Sequence, residues 1–199
     1  MKFSEIVMQR YATKKFDGKI IDQKKVDELL EMIRYSASSL NLQPWNIKVV
    51  TNHKTKEELY AVSWNQAQII TCSHLLVFCA DKDLVNRAKT LENTLIKNGA
   101  TKESLKEYLA MIHNTVDNMS SEQKLSWAQR QLYLAVGNAI NGAKSLGFDS
   151  CPMEGFNAVE YSRILELPDN LVPTAIVPIG YAADSMRPKV RLSKKDVFF

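Results

Sequence analysis

Three segments of the chain hold more polar specificity than connectors require. The first, Arg10-Tyr11-Ala12-Thr13-Lys14-Lys15-Phe16-Asp17, follows an amphipathic N-terminal stretch and brings cations and a hydroxyl together. That donor set can grip a phosphate through charge-assisted hydrogen bonds. The same residues also make an ordinary basic helix C-terminus that complements the helix dipole. The second, Ser36-Ala37-Ser38-Ser39-Leu40-Asn41-Leu42-Gln43-Pro44-Trp45, is a small-residue loop closing on an amide-proline-aromatic step, which is equally the composition of a helix-to-strand turn. The third, Cys151-Pro152-Met153-Glu154-Gly155-Phe156, leads into a helix that Asn157 caps, with Glu160 three residues on. Its glycine and backbone amides can approach a planar ligand closely. Each segment alone reads as well as scaffold as it does as site.

Other chemistries lack their residues. No GxGxxG, Walker A loop, GxSxG elbow or HExxH occurs, so a standard dinucleotide-binding Rossmann fold is unsupported. His53, His74 and His113 lie in separate segments without metal-ligand spacing, and no metal is expected. Cys72, Cys79 and Cys151 form no CxxC and no disulfide framework, and read as buried thiols in a reducing compartment. A net charge of +4 with both signs interspersed is too mild for a nucleic-acid footprint, so no nucleic-acid partner is expected. The opening MKFSEIVMQRYATKKFD lacks the apolar run of a signal peptide, and no stretch is long enough to span a bilayer. A cytoplasmic protein without a membrane partner is expected.

The elements that must position these segments come from periodicity. A length of 199 residues favours one domain over 1–199 with a sizeable core. Val26, Leu29, Leu30 and Ile33 recur at helical spacing behind Asp22 as N-cap. A longer helix starts at Ser120, whose spacing to Gln123 is that of a capping box, and runs through Leu125, Ala128, Leu132, Ala135, Val136, Ala139 and Ala143 to Gly147. Its alanine-rich stripe includes Gly137 and Gly142, which implies close packing in the core or against a second subunit. Strand candidates are Trp45 to Thr51, His74 to Ala80 and Pro173 to Tyr181, with Pro178 placing the last at an edge or a bulge. Helices outnumber strands without alternating one for one, so an α+β sandwich is expected over a doubly wound parallel sheet. The lysine-rich segment from Arg87 to Ser121 reads as an exposed helical excursion. The tail from Ala182 finishes on Val197-Phe198-Phe199, an ending that mere disorder does not call for.

In their order along the chain, RYATKKFD, SASSLNLQPW, SHLLVFCA, YLAVGNAINGAKSLGFDSCPMEGF and PKVRL closely resemble the FMN-dependent nitroreductase family, in particular its oxygen-insensitive bacterial NAD(P)H nitroreductase branch. The likeness covers nearly the whole chain. It implies a nitroreductase-like α+β fold with a central, mostly antiparallel sheet flanked by helices. It also implies an intertwined homodimer with an extended C-terminal tail and FMN sites at the subunit interface. Tightly bound FMN, NADH or NADPH as co-substrate, and ping-pong reduction of nitroaromatics, quinones or similar small electrophiles follow from the same resemblance.

Carried onto this sequence, the resemblance implies that Arg10, Lys189 and Arg191 hold the FMN phosphate, with Tyr11 and Ala12 in the same loop. Lys14 and Asn65 are implied at the pyrimidine edge of the flavin, and Ser38, Ser39 and Asn41 come from the partner subunit. Pro152, Met153, Glu154 and Gly155 lie along the isoalloxazine ring, with the Glu154 and Gly155 amides near N5. Leu40, Trp64, Gln68, Tyr108 and Leu109 are candidates for the substrate side. No side chain need be nucleophile or general base, because the flavin carries the chemistry and the protein supplies binding and electrostatics. Two positions depart from the family pattern: Gln68 stands where a second lysine is common, and Ala12 replaces a commonly hydroxylated residue. A same-fold flavin reductase, a metabolite-specific reductase and a non-enzymatic flavin-binding dimer are the alternatives the sequence leaves open.

Overall fold

A strand apolar at nearly every position, His74–Asp81, dictates the layering, because all of its residues are buried and each of its faces needs a cover. In the computed structural model, which describes residues 1–199, it is β2 of a four-stranded sheet ordered β1-β2-β4-β3. β1 spans Trp45–Val50, β3 Asp149–Ser150 and β4 Leu171–Gly180, and every ladder is antiparallel. Side chains alternate between the faces as strand geometry requires. Leu76, Phe78 and Ala80 of β2, with Ala175, Val177 and Ile179 of β4, enter the larger core. Leu75, Val77, Cys79 and Ile176 enter the smaller one. The α+β sandwich expected from the sequence is what the chain forms.

Helices α2 (Gln23–Arg34), α5 (Leu84–Lys97), α6 (Lys102–Asp117) and α7 (Ser121–Ser145) cover the first face. On the second lie α3 (His53–Ala61), α4 (Ala67–Thr71) and α8 (Ala158–Ile164). Their starts are written locally: the Asp22 carboxylate accepts from the Lys24 N–H, Ser120 and Gln123 close a capping box, and Asn157 accepts from the Val159 and Glu160 N–H groups. Gly142 lets α7 approach α2, since a Cβ there would lie 2.8 Å from Leu29 Cδ1. Gly137 has nothing within 4 Å and plays no such role within the chain.

Two expectations need correction. The segment from Arg87 to Ser121 is helical, yet Ala88, Leu91, Leu105, Ile112 and Val116 are buried, so α5 and α6 cover the core and only their lysine-bearing faces are an excursion. β4, for its part, is interior and not an edge, although it holds Pro178. Pro178 is accommodated because its carbonyl accepts from the Cys151 N–H at 3.1 Å, on the side where β3 has already ended after two residues. The bulge lies elsewhere, at Thr174, which is skipped as the partners step from Phe78 with Ala175 to Cys79 with Pro173.

Residues 10–17 join the sheet's β3 end to the C-terminal segment. Ala12 bridges Ser150, Asp17 N–H donates to the Tyr181 carbonyl at 2.9 Å, Phe16 bridges Ala182, and Ala183 N–H donates to the Lys15 carbonyl at 2.8 Å. α1 (Phe3–Gln9) buries only Ile6, and the terminal α9 (Lys194–Val197) buries nothing. No helix is long and apolar enough to cross a membrane. Gly180 is the tight point of this seam, since a Cβ there would sit 2.8 Å from Cδ1 of Phe16, a ring only 2% exposed. Gly180→Ala is therefore expected to cost about 1–3 kcal/mol through overpacking, read as a lower thermal midpoint; an unchanged midpoint would contradict the seam.

Candidate functional site

Where the two chain ends meet, cations gather without counter-ions. The Lys189 ammonium donates to the Arg10 carbonyl, which draws the tail onto the end of α1. Burial, and then the charge of Arg191, hold the Arg10 guanidinium below its ordinary value. Burial followed by the charges of Arg10 and Arg191 does the same to Lys189. None of the three forms a salt bridge with a carboxylate, whereas the chain's other ion pairs, such as Arg87 with Asp81 at 2.7 Å, are made in the usual way. Such a set of donors can be shared by one anion through charge-assisted hydrogen bonds.

Beside the cluster opens a cavity of 580 Å³ lined by Tyr11, Ala12, Lys14, Asp184, Ser185 and Arg187, within the range of small-molecule and cofactor sites. Asp184 builds its wall. Its carboxylate accepts from the Lys14 backbone N–H at 3.0 Å, and its carbonyl accepts from the Tyr11 hydroxyl at 2.8 Å. The Lys14 ammonium turns to the Cys151 sulfur at 3.7 Å, which joins the N-terminal loop to the segment leading into Pro152.

The Pro152 to Gly155 segment is held from two sides. Met153 exchanges backbone hydrogen bonds with Ile176 at 2.9 Å in each direction, after which the chain leaves the sheet. The backbone N–H groups of Glu154 and Gly155 donate to nothing within the chain, a pair of consecutive free donors. Gly155 lies against Trp64, where a Cβ would meet ring atom Cζ3 at 2.3 Å, so any larger residue would have to displace the ring. Trp64 and Asn65 both have left-handed backbone, φ 54° and 52°, a conformation that asparagine tolerates and tryptophan does not favour. Trp64 is 71% exposed. The Glu154 carboxylate accepts from the Tyr133 hydroxyl of α7. Burial, and then that carboxylate, push the Tyr133 phenol above its ordinary value.

The serine-rich loop does not reach this cavity within one chain. Ser39, Leu40 and Asn41 form a 3-10 turn with Leu40 and Asn41 left-handed, φ 55° and 48°. Ser39 N–H donates to Gln131 Oε1 at 2.8 Å, the Tyr108 hydroxyl donates to the Leu40 carbonyl at 2.8 Å, and Gln43 N–H donates to Ser38 Oγ at 2.9 Å. Tyr108 and Leu109 pack against the larger core beside that turn. The sequence-derived residues thus fall into two groups. Arg10, Tyr11, Ala12, Lys14, Trp64, Asn65, Gln68, Pro152 to Gly155, Lys189 and Arg191 belong to one connected neighbourhood. Ser38, Ser39, Leu40, Asn41, Tyr108 and Leu109 form another.

Sequence reasoning missed Asp184, Tyr133 and Gln66, the last of which donates to the Gly155 carbonyl at 3.0 Å. The one available signal was for Asp184, an acid directly ahead of a basic tail.

The model of the nitroreductase family matches residues 7–181. A candidate NAD(P)H nitroreductase of Bacillus subtilis, YfkO, is 34% identical over 203 residues, covering 94% of this chain and 92% of that protein. A solved structure of a candidate NAD(P)H:FMN oxidoreductase from Staphylococcus epidermidis superimposes with a TM-score of 0.91 at 26% identity, covering 98% of this chain and 94% of that one. A candidate nitroreductase from Exiguobacterium sibiricum, solved in complex with FMN, has the same fold, with a TM-score of 0.90 at 23% identity over 99% of this chain and 96% of that one.

Asp184→Ala should free the Tyr11–Lys14 loop. Losing a charged acceptor typically costs about 1.5–3 kcal/mol, so hydrogen exchange at the Lys14 amide should accelerate by roughly 10-fold or more. Unaltered exchange at that amide would remove Asp184 from the cavity's construction.

Proposed function

The chain belongs to the nitroreductase family, and from that premise we propose that it is an FMN-dependent NAD(P)H oxidoreductase reducing nitroaromatics, quinones or similar small electrophiles in a ping-pong cycle. The observation that carries this reading is the set of Arg10, Lys189 and Arg191, drawn together from both chain ends without a carboxylate among them. A phosphate monoester answers that donor set, because its oxygens take charge-assisted bonds from guanidinium and ammonium groups at once. When bound, FMN supplies the electron chemistry, accepting from NADH or NADPH and delivering to the acceptor.

The residues of the chain have distinct work in this reading. Arg10, Lys189 and Arg191 hold the phosphate, and the ordering of the tail by Lys189 ties binding to the docking of the C-terminus. Lys14 presents an ammonium to the pyrimidine edge, where negative charge develops during turnover. Asn65, whose side chain is exposed and makes no hydrogen bond in the chain, is available to that same edge. The two free N–H groups of Glu154 and Gly155 are oriented donors for the N5 side, fixed before any ligand arrives. Glycine at 155 keeps that surface flat.

Ser38, Ser39 and Asn41 have a place in this site when a second copy contributes them, which makes the working unit a homodimer. Exposed apolar residues support that assembly: Phe3, Val7 and Met8 on α1, Leu134 on α7, and Val190, Leu192, Val197, Phe198 and Phe199 on the tail. An uncovered face of that composition is the kind that a second subunit buries. We read residues 1–199 as a single FMN-binding domain. The three cysteines, all unpaired and buried, accord with a cytoplasmic location.

The purified protein should be yellow, and anaerobic addition of NADPH or NADH should bleach its visible absorption, with colour returning when a quinone or nitroaromatic is added. A protein that stays colourless after incubation with FMN, or whose bound flavin is inert to both nicotinamides, would overturn the reading.

A further inference from the structure

Gln66, Gln68 and Cys151 form a chain of contacts that links the two ends of the cradle. Gln66 Nε2 donates to the Gly155 carbonyl at 3.0 Å, Gln68 Nε2 donates to Gln66 Oε1 at 3.2 Å and lies 4.0 Å from Cys151 Sγ, and the Lys14 ammonium reaches the same sulfur at 3.7 Å. The direction of the chain is determined. A carbonyl only accepts, so Gln66 must turn its NH₂ toward Gly155 and its oxygen toward Gln68. Gln68 then has one amide hydrogen for Gln66 and a second for the sulfur. Flipping either amide would set acceptor against acceptor or donor against donor.

Burial makes these contacts count. Gln68 is 4% exposed and Cys151 is fully buried, so water cannot replace a lost partner. Burial also pushes the Cys151 thiol up, against the pull of Lys14, which leaves a neutral sulfur shared between an ammonium and an amide. The Trp64 ring and the Gln66 amide stand together on the side of Gly155 where a Cβ would project, so both crowd the same face of that residue. From the Gly155 carbonyl the contacts run without a break through Gln66, Gln68 and Cys151 to the Lys14 ammonium.

We propose that Gln66, Gln68 and Cys151 are positioning residues that couple the Lys14 ammonium to Gly155, whose carbonyl Gln66 holds directly after the free Glu154 and Gly155 N–H groups, so that the charge at one edge of the flavin and the N–H donors at the other are set together. This rests on the FMN reading above. Gln68, which departs from the lysine common in the family pattern, donates to both neighbours as a neutral amide, so the link is made without a second cation beside Lys14.

The test is a double-mutant cycle on the holoprotein, with Lys14→Met, Gln66→Leu and the pair, read by flavin midpoint potential and by FMN affinity. Coupling predicts that Lys14→Met shifts the potential less in the Gln66→Leu background than in the wild type, with non-additivity on the order of 3-fold or more in the reduction equilibrium. Additive shifts would overturn the coupling while leaving the flavin reading intact; a wild-type protein that binds no FMN would overturn the flavin reading itself and this inference with it. If Gln66→Leu does not fold, Cys151→Ala with Lys14→Met closes the same cycle, and additivity there is equally decisive. A purely structural role for Gln66 would lower the thermal midpoint and leave the Lys14 effect on potential untouched, which also counts against the coupling.

Discussion

Like charges held together without counter-ions are the constraint on which the rest of the structure turns. Arg10 stands at the end of α1, while Lys189 and Arg191 arrive along the tail from the far end of the sequence. Two unit charges about 4 Å apart at an effective dielectric of 20 repel by about 4 kcal/mol, and solvent at an open site reduces this to a fraction. Something must oppose even that fraction. The opposing contacts are the seam of residues 15–17 with 181–183, the Phe16 ring seated on Gly180, and Asp184 clamping Tyr11 and Lys14. Their common effect is to fix, at the edge of the sheet, the backbone that follows Arg10 and the backbone that leads into the tail.

The sheet also explains why the second half of the site lies where it does. β3 ends after two residues opposite Pro178, which has no N–H to extend the ladder, and the chain then runs from Cys151 through one further bridge at Met153 before leaving. Its departure is what leaves the Glu154 and Gly155 N–H groups unpaired. The left-handed turn at Trp64 and Asn65 meets this segment from α3, and the ring of Trp64 occupies the space that a Cβ at residue 155 would take. Strain at Trp64 and the free donors at 154 and 155 are thus two aspects of one local arrangement.

How much of this the sequence discloses depends on the range of the interaction. Helices α2 and α7 are legible because their apolar periodicity and their caps, Asp22 and Ser120, are local. The buried strand at 74–81 is legible as a continuous apolar run. The interior position of β4 is not, because a proline is compatible with an interior strand when its neighbour stops opposite it, and that is a fact about two distant segments. The burial of α5 and α6 is obscured because polar and charged residues alternate with their apolar positions, and the element that those positions face is far away in sequence. Of the site, the residues carried by motifs could be named, but Asp184, Tyr133 and Gln66 act through partners 170, 21 and 89 positions away and leave no local mark. The separation of Ser38, Ser39 and Asn41 from the cavity is likewise a property of the folded chain alone.

The central claim is that the cation cluster exists for the phosphate of a flavin nucleotide. Comparing the affinities of FMN and riboflavin tests it directly, since the two ligands share the ring system and differ in the group the cluster is proposed to hold. With at least two charge-assisted bonds of about 1.5–3 kcal/mol each at stake, FMN should bind on the order of 100-fold more tightly than riboflavin, and the difference should shrink when salt is raised. Equal affinities for the two flavins would contradict the account.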